Sequence, residues 1–192
     1  MTTLVVGATG ATGRLLVKQL LDREIHVKVI VRSPDKLPED IRNHSNLTVI
    51  HASLLDLDDA ALAQHVKGCD AIASCLGHNL NFQGMYGHPR KLVTDAASRL
   101  CKAVKANNPT HPVKYVLMNT AGNSNRDIKE TVSVGEQIIV GLIRLLLPPH
   151  VDNEKAADYL RVEIGQHDPM IEWVVVRPSY PTRLPPIVGA KD

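Results

Sequence analysis

Three glycines at a spacing of three, Gly7, Gly10 and Gly13, follow directly on the apolar run Leu4-Val5-Val6. A strand that ends in a glycine turn and opens a helix leaves backbone N–H groups at the positive end of that helix, where a pyrophosphate binds. Gly7 suits the sharp turn, Gly10 lets the backbone approach the phosphates, and Gly13 lets the helix pack close to the strand. Thr9, Ala11 and Thr12 complete the backbone of the turn. The spacing is GxxGxxG, not the commoner GxGxxG, so its meaning rests on the strand before it and the helix after it.

Those flanking elements belong to a longer rhythm. Runs of β-branched residues at 4–6, 26–32, 47–51, 71–76, 114–119 and 172–176 read as strands. Helical patterns fall between them at 11–22, 56–66, 91–106 and 153–165, with Asp56 and Asp152 as candidate N-caps. Leu16 with Leu20 and Val17 with Leu21 form i,i+4 pairs, while Arg14, Lys18 and Asp22 fall on the other side of the first helix. Such alternation predicts an α/β fold, a Rossmann-type doubly wound parallel sheet. The 192 residues fit one domain, with 123–150 and 179–192 as substrate-side or interface elements. In the first of these, a strongly apolar helix at 134–147 ends at Pro148-Pro149. Apolar residues nearly encircle it, so it must be buried in the domain or against a partner chain, such as the second copy of a homodimer.

Composition narrows the function classes. A net charge of +2 and 3% aromatics give no basic face and no stacking platform for nucleic acid. Cys69, Cys75 and Cys101 are an odd number at spacings that suit neither zinc nor a disulfide framework. With no basic and apolar leader, they point to reduced thiols and a cytoplasmic protein. The apolar run 138–147 is too short to span a bilayer, so no membrane role is expected. None of the nine histidines forms a helical ligand pair, so no metal is expected. A GxSxG elbow and a lysine-ending phosphate loop are also absent from the sequence.

In an open parallel sheet, ligands sit beyond the carboxyl ends of the strands. That rule nominates the glycine turn, Arg32-Ser33, the residues after the third strand, Leu76-Gly77-His78, Asn119-Thr120 and Arg177-Pro178. Arg32 is the most informative, lying 19 residues after Gly13. An acidic residue there would accept hydrogen bonds from the ribose 2′-hydroxyl of NAD. Arginine cannot accept, but its planar fork pairs with a phosphate, so Arg32 and Ser33 point to the 2′-phosphate of NADP and to NADP(H) over NAD(H).

With Arg32, the stretches 3–13, 70–77, 115–122 and 153–178, the last ending in Val174-Val175-Val176-Arg177-Pro178, resemble the atypical short-chain dehydrogenase/reductases. Within that group the chain is similar to the flavin and biliverdin reductases and the NmrA-like sensors. The resemblance implies a Rossmann fold, NADP(H) binding and, for many members, hydride transfer to a flavin, quinone or carbonyl compound. It departs in two places. Where the family carries an acidic residue that contacts the adenine amino group, this chain has Ser53 and then Leu54. The family's tyrosine and lysine four residues apart are missing, because Tyr86, Tyr115, Tyr159 and Tyr180 are followed at that distance by Arg90, Asn119, Glu163 and Leu184.

The resemblance leaves three candidates near the nicotinamide. The Thr120 hydroxyl would orient a carbonyl or carboxamide, Lys155 stands where some relatives place a cleft-facing lysine, and Tyr180 would close over the ring. A loop at 79–87 would cover it. The expectation is an NADP(H)-dependent oxidoreductase acting on a flavin, quinone or small carbonyl compound. A flavin or quinone is favoured because solvent can protonate it. The alternatives are a non-catalytic NADP(H)-binding redox sensor and a nucleotide-sugar epimerase or dehydratase, the latter disfavoured by the little chain after Pro178.

Overall fold

Residues with apolar side chains on both faces of an extended backbone can only be satisfied in a sheet covered on both sides. β1 (Thr2–Val6) has this character, with Leu4, Val5 and Val6 fully buried. It lies inside a six-stranded sheet with β2 (His26–Val31), β3 (Leu47–His51), β4 (Ala71–Ser74), β5 (Val113–Met118) and β6 (Ile171–Val176). The order is β3-β2-β1-β4-β5-β6 and every pairing is parallel. Val5 is level with Val29 of β2 and Ala73 of β4. The computed structural model describes residues 1–78, 89–119 and 148–177. The loop at 79–87, Thr120, the helix expected at 134–147, Pro178, Tyr180 and the tail at 179–192 lie outside them.

Strand alternation divides the core in two. Val5, Val27 and Val29 pack with Val17 and Leu21 of α1 (Ala11–Leu21) and with Ile41 of α2 (Glu39–Arg42). On the other face, Leu4, Val6, Ile72 and Leu117 meet three helices: Leu62 of α3 (Asp59–Val66), Leu100 of α4 (Leu92–Ala106) and Ala156 of α5 (Pro148–Tyr159). Each fully buried Val or Leu contributes about 1.5–3 kcal/mol, so the strand centres dominate stability. The result is the expected Rossmann-type fold in a single domain. Strand order reverses between β1 and β4, and the crevice for a ligand opens at that reversal.

Two local expectations need correction, and two short elements are added. α3 begins at Asp59, and its cap is Asp58, whose Oδ1 accepts from the Ala61 N–H at 2.7 Å. Asp56 lies upstream in a turn, its N–H bonded to the Ser53 carbonyl at 3.0 Å. α5 is already helical at Pro148, where the described residues resume, five residues before the expected start. Asp152 therefore lies inside α5 instead of capping it. Between β2 and β3, a 3₁₀ turn (Pro34–Lys36) and α2 were too short to leave a periodic signal.

Candidate functional site

The glycine turn is held by contacts that leave no room for side chains. Gly7 has φ +78°, and a Cβ there would stand 2.4 Å from the Cys75 carbonyl oxygen. A Cβ on Gly13 would stand 2.2 Å from the Gly7 carbonyl oxygen. Gly10 is different: its Cβ would meet only that same oxygen, at 3.3 Å. The Gly10 N–H is spent on the Gly7 carbonyl at 3.0 Å, and α1 starts at the next residue with no side-chain cap and no acid in its first turn. The first amides of α1 thus form a positive end that only an outside anion would neutralise.

A cleft of about 730 Å³ opens at this turn, lined there by Gly7, Thr9, Gly10, Ala11 and Thr12. Arg32, Ser53 and Leu54 line it beyond β2 and β3, Leu76 and Gly77 beyond β4, and Met118 at the end of β5. Several nominated residues lie elsewhere. Gly13 is buried beneath the turn, and Ser33 is half-buried and outside the lining. Asn119 is buried, its Nδ2 donating to the Asn153 carbonyl at 3.0 Å and its N–H to Val176 at 2.9 Å. Lys155 is exposed on α5 and does not line the cleft.

The cleft also holds residues that the sequence did not single out. Asp56 lines it, so a carboxylate does stand beyond β3, three residues after Ser53. The loop carrying Asp56 is clamped by Arg99 of α4, whose guanidinium donates to the carbonyls of Leu54 at 3.0 Å, Leu55 at 2.7 Å and Leu57, and to Asp59 Oδ1 at 3.1 Å. On the β2 side, His51 Nε2 lies 3.2 Å from the Arg32 carbonyl oxygen. Cys75 also lines the cleft, and burial pushes its thiol above the ordinary value.

At the far corner, His78 lines the cleft and its Nε2 lies 2.8 Å from Asp152 Oδ2. Both side chains are buried, at 6% and 1% exposure. The Asp152 carboxylate also receives the backbone N–H groups of Val93 at 2.8 Å and Thr94 at 3.1 Å, and the Thr94 hydroxyl at 2.6 Å. Asp152 thus caps α4 from α5. Nearby, His150 and Glu154 form a second buried pair at 3.4 Å. No tyrosine among the described residues lines the cleft. Tyr115 is buried in the core and Tyr159 is half-buried, and burial raises both phenols.

Among the described residues, no helix is long and apolar enough to cross a membrane. No curated protein matches the sequence. Solved structures with the same fold include the oxidoreductase ylbE from Lactococcus lactis, at 19% identity and TM-score 0.64, covering 93% of this chain and 68% of that one. ChuY, an anaerobilin reductase from Escherichia coli O157:H7, matches at 15% identity and TM-score 0.61, over 93% of this chain and 72% of its own. A candidate NADH-flavin reductase from Streptococcus pneumoniae matches at 16% identity and TM-score 0.58, over 93% and 71%. At these identities the likeness is one of fold. The family profile described as NAD(P)H-binding matches residues 7–189, and the chain belongs to that family.

Proposed function

We propose that this protein is an NADP(H)-dependent oxidoreductase that reduces a flavin, quinone or small carbonyl compound. The observation that carries the reading is the uncapped N-terminus of α1 at the strand-order reversal, with Arg32 on the wall of the same cleft. The turn fits a dinucleotide: Gly7 and Gly13 exclude side chains for packing reasons, whereas a Cβ on the cleft-lining Gly10 would take space that a phosphate needs. In this assignment the backbone of Gly7, Thr9, Gly10, Ala11 and Thr12 holds the pyrophosphate, with Gly13 permitting the close packing. Arg32, flanked by Ser33, receives the 2′-phosphate. Ser53, Leu54 and the Asp56 carboxylate face the adenine, and Leu76 and Gly77 face a ribose. Thr120, Pro178 and Tyr180, outside the described residues, remain the candidates for the nicotinamide end, whereas Asn119 braces the ends of β5 and β6 from within and Lys155 stands outside the cleft lining.

When bound, the dinucleotide supplies a hydride. The protein's own work is to hold two partners in contact and limit water between them. Names of fold relatives, a flavin reductase and an anaerobilin reductase, support an extended conjugated acceptor. Titration with NADPH and NADH, followed by NADPH oxidation with FMN, menadione and an aldehyde, tests the reading. The absence of a cleft-lining tyrosine among the described residues favours a second reading, a redox sensor. Tight NADPH binding without oxidation by any of these acceptors selects it.

A further inference from the structure

We infer that Arg99 is a positioning residue for the dinucleotide: from outside the cleft lining, it fixes the loop between β3 and α3 that walls the adenosine end. This rests on the dinucleotide assignment above and adds to it a residue that acts only through the loop. The loop has two sides. Its front is the cleft wall, where Ala52, Ser53, Leu54, Leu55 and Asp56 follow one another in the lining. Behind it, the Arg99 guanidinium gathers the carbonyls of Leu54 at 3.0 Å, Leu55 at 2.7 Å and Leu57. The loop's own amides do less to fix it, since Asp56 and Leu57 both donate to one carbonyl, that of Ser53, at 3.0 and 3.3 Å.

Arginine suits this place. Its planar fork carries five donors and no acceptor, so it serves several carbonyls at once, where lysine offers a single point of charge. Bonds from a charged donor are about twice as strong as neutral ones. The ion pair with Asp59 at 3.1 Å is the minor part, because that carboxylate is 90% exposed and water screens it. The Arg99 side chain is 20% exposed, so its bonds to the carbonyls are sheltered. Leu54 is buried in the core and Leu55 and Leu57 pack against it, which sets the depth of the loop but not the rotation of its peptides. Arg99 sets that rotation. Three carbonyl dipoles that would repel a phosphate if turned to the cleft are held on a cation behind it. Ser53 and Asp56 keep their places on the wall as a result, and a binding wall with a loose supporting shell loses affinity.

The binding test needs no turnover. Arg99→Gln should bind NADPH at least about tenfold more weakly, and 2′-phospho-ADP-ribose, which lacks the nicotinamide, weaker by the same factor. A contact needed for folding alone would lower the urea midpoint and leave both dissociation constants unchanged, and that result overturns the inference. A loss for NADPH that spares 2′-phospho-ADP-ribose overturns it too. In NADPH oxidation with FMN, KM for NADPH should rise by the same factor while kcat stays within about twofold. A lower kcat at unchanged KM counts against the inference. Asp59→Asn should stay within about twofold of wild type in NADPH affinity, and a tenfold loss there would overturn the role given to the carbonyls. If Arg99→Gln does not fold, Arg99→Lys decides, because it keeps the charge and loses the fork. It should bind both ligands at least about threefold more weakly, and wild-type affinity overturns the inference. Wild type that binds neither NADPH nor NADH sinks the dinucleotide reading, whereas wild type that binds NADPH no more tightly than Arg99→Gln sinks this inference alone.

Discussion

The glycine turn and the His78–Asp152 corner face one cleft, but they are made differently. The turn is local and uses backbone: one carbonyl, that of Gly7, is the limiting contact for both Gly10 and Gly13. The corner is non-local and uses side chains, joining residues 58–74 positions apart in sequence from the exit of β4, the start of α4 and the interior of α5. A backbone site is rigid and presents the same donors to any phosphate, whereas a side-chain corner can be changed without disturbing the strand-to-helix turn. The proposed dinucleotide site is of the first kind, and the difference between the two can be tested by substitution.

The largest effect is expected at Gly7. Gly7→Ala forces a side chain into a left-handed conformation, which costs about 1–2 kcal/mol. Its Cβ would also press on the Cys75 carbonyl at 2.4 Å, and overpacking of that kind adds about 1–3 kcal/mol. Urea denaturation should show the loss, and NADPH binding should go with it. Gly10→Ala is the counterpart. Its single contact at 3.3 Å can relax, so stability should stay within about 1 kcal/mol of wild type while NADPH binds at least about tenfold more weakly. If the two variants lose stability equally, the turn is a folding device throughout and the assignment of Gly10 to phosphate fails.

Asp152→Ala comes next. It strips the acceptor from two backbone N–H groups, a hydroxyl and an imidazole, in a place where the carboxylate is 1% exposed. Buried donors left unpaired cost about 1–3 kcal/mol each, so a loss of about 3 kcal/mol in urea denaturation is expected. Asp152→Asn keeps an oxygen that can accept and should lose clearly less. A loss below about 1 kcal/mol for the alanine variant would mean that water replaces the carboxylate, as at an ordinary exposed cap. The corner would then be no rigid partner for His78.

Arg32→Ala sharpens the other half of the comparison. The guanidinium is exposed at the cleft edge, so its removal should spare the fold. A charge-assisted hydrogen bond is worth about 1.5–3 kcal/mol, which sets a loss of roughly 10- to 100-fold in NADPH affinity. NADH, which has no 2′-phosphate, should be affected less than about threefold. Equal losses for the two dinucleotides, read by fluorescence titration, would remove the basis for preferring NADP(H).

The same local and non-local division explains what the sequence disclosed. Six strands, the glycine turn and the position of Arg32 are written in residues that neighbour one another, so periodicity and spacing reach them. Asp56 was hidden because Asp56, Asp58 and Asp59 all suit a helix start, and only the folded turn at Ser53 decides that Asp58 caps. Asp152 was misassigned because capping rules look for the helix that follows, while its true client is the start of α4, 58 residues back for Thr94. Arg99 gave no signal at all, since its acceptors are backbone carbonyls 42–45 residues away. His78 was nominated with Leu76 and Gly77 by its place beyond the fourth strand, but its partner Asp152 lies 74 residues away.

The smallest effect is expected where neither half of the comparison reaches. Lys105 of α4 and Asp168, ahead of β6, pair at 2.7 Å, and Asp168 also accepts from the N–H groups of Met170 at 2.9 Å and Ile171 at 3.1 Å. Burial alone would raise the Asp168 carboxyl, but the Lys105 ammonium and the two backbone donors outweigh it and hold it below the ordinary value. The bond to Asp168 raises Lys105. A depressed carboxyl contributes stability above its unfolded pKa of about 3.9 and loses it as pH falls through the folded value. A raised lysine contributes below about 10.4 and loses it as pH rises through its folded value. Lys105→Met should therefore cost under about 1 kcal/mol, flat from about pH 4 to pH 10 and fading outside that window, because Lys105 is more than a third exposed and water screens the pair. NADPH affinity should be unchanged in this variant. If it moves, the pair before β6 is coupled to the cleft through α4, and the separation between a local binding turn and the non-local contacts around it is too simple.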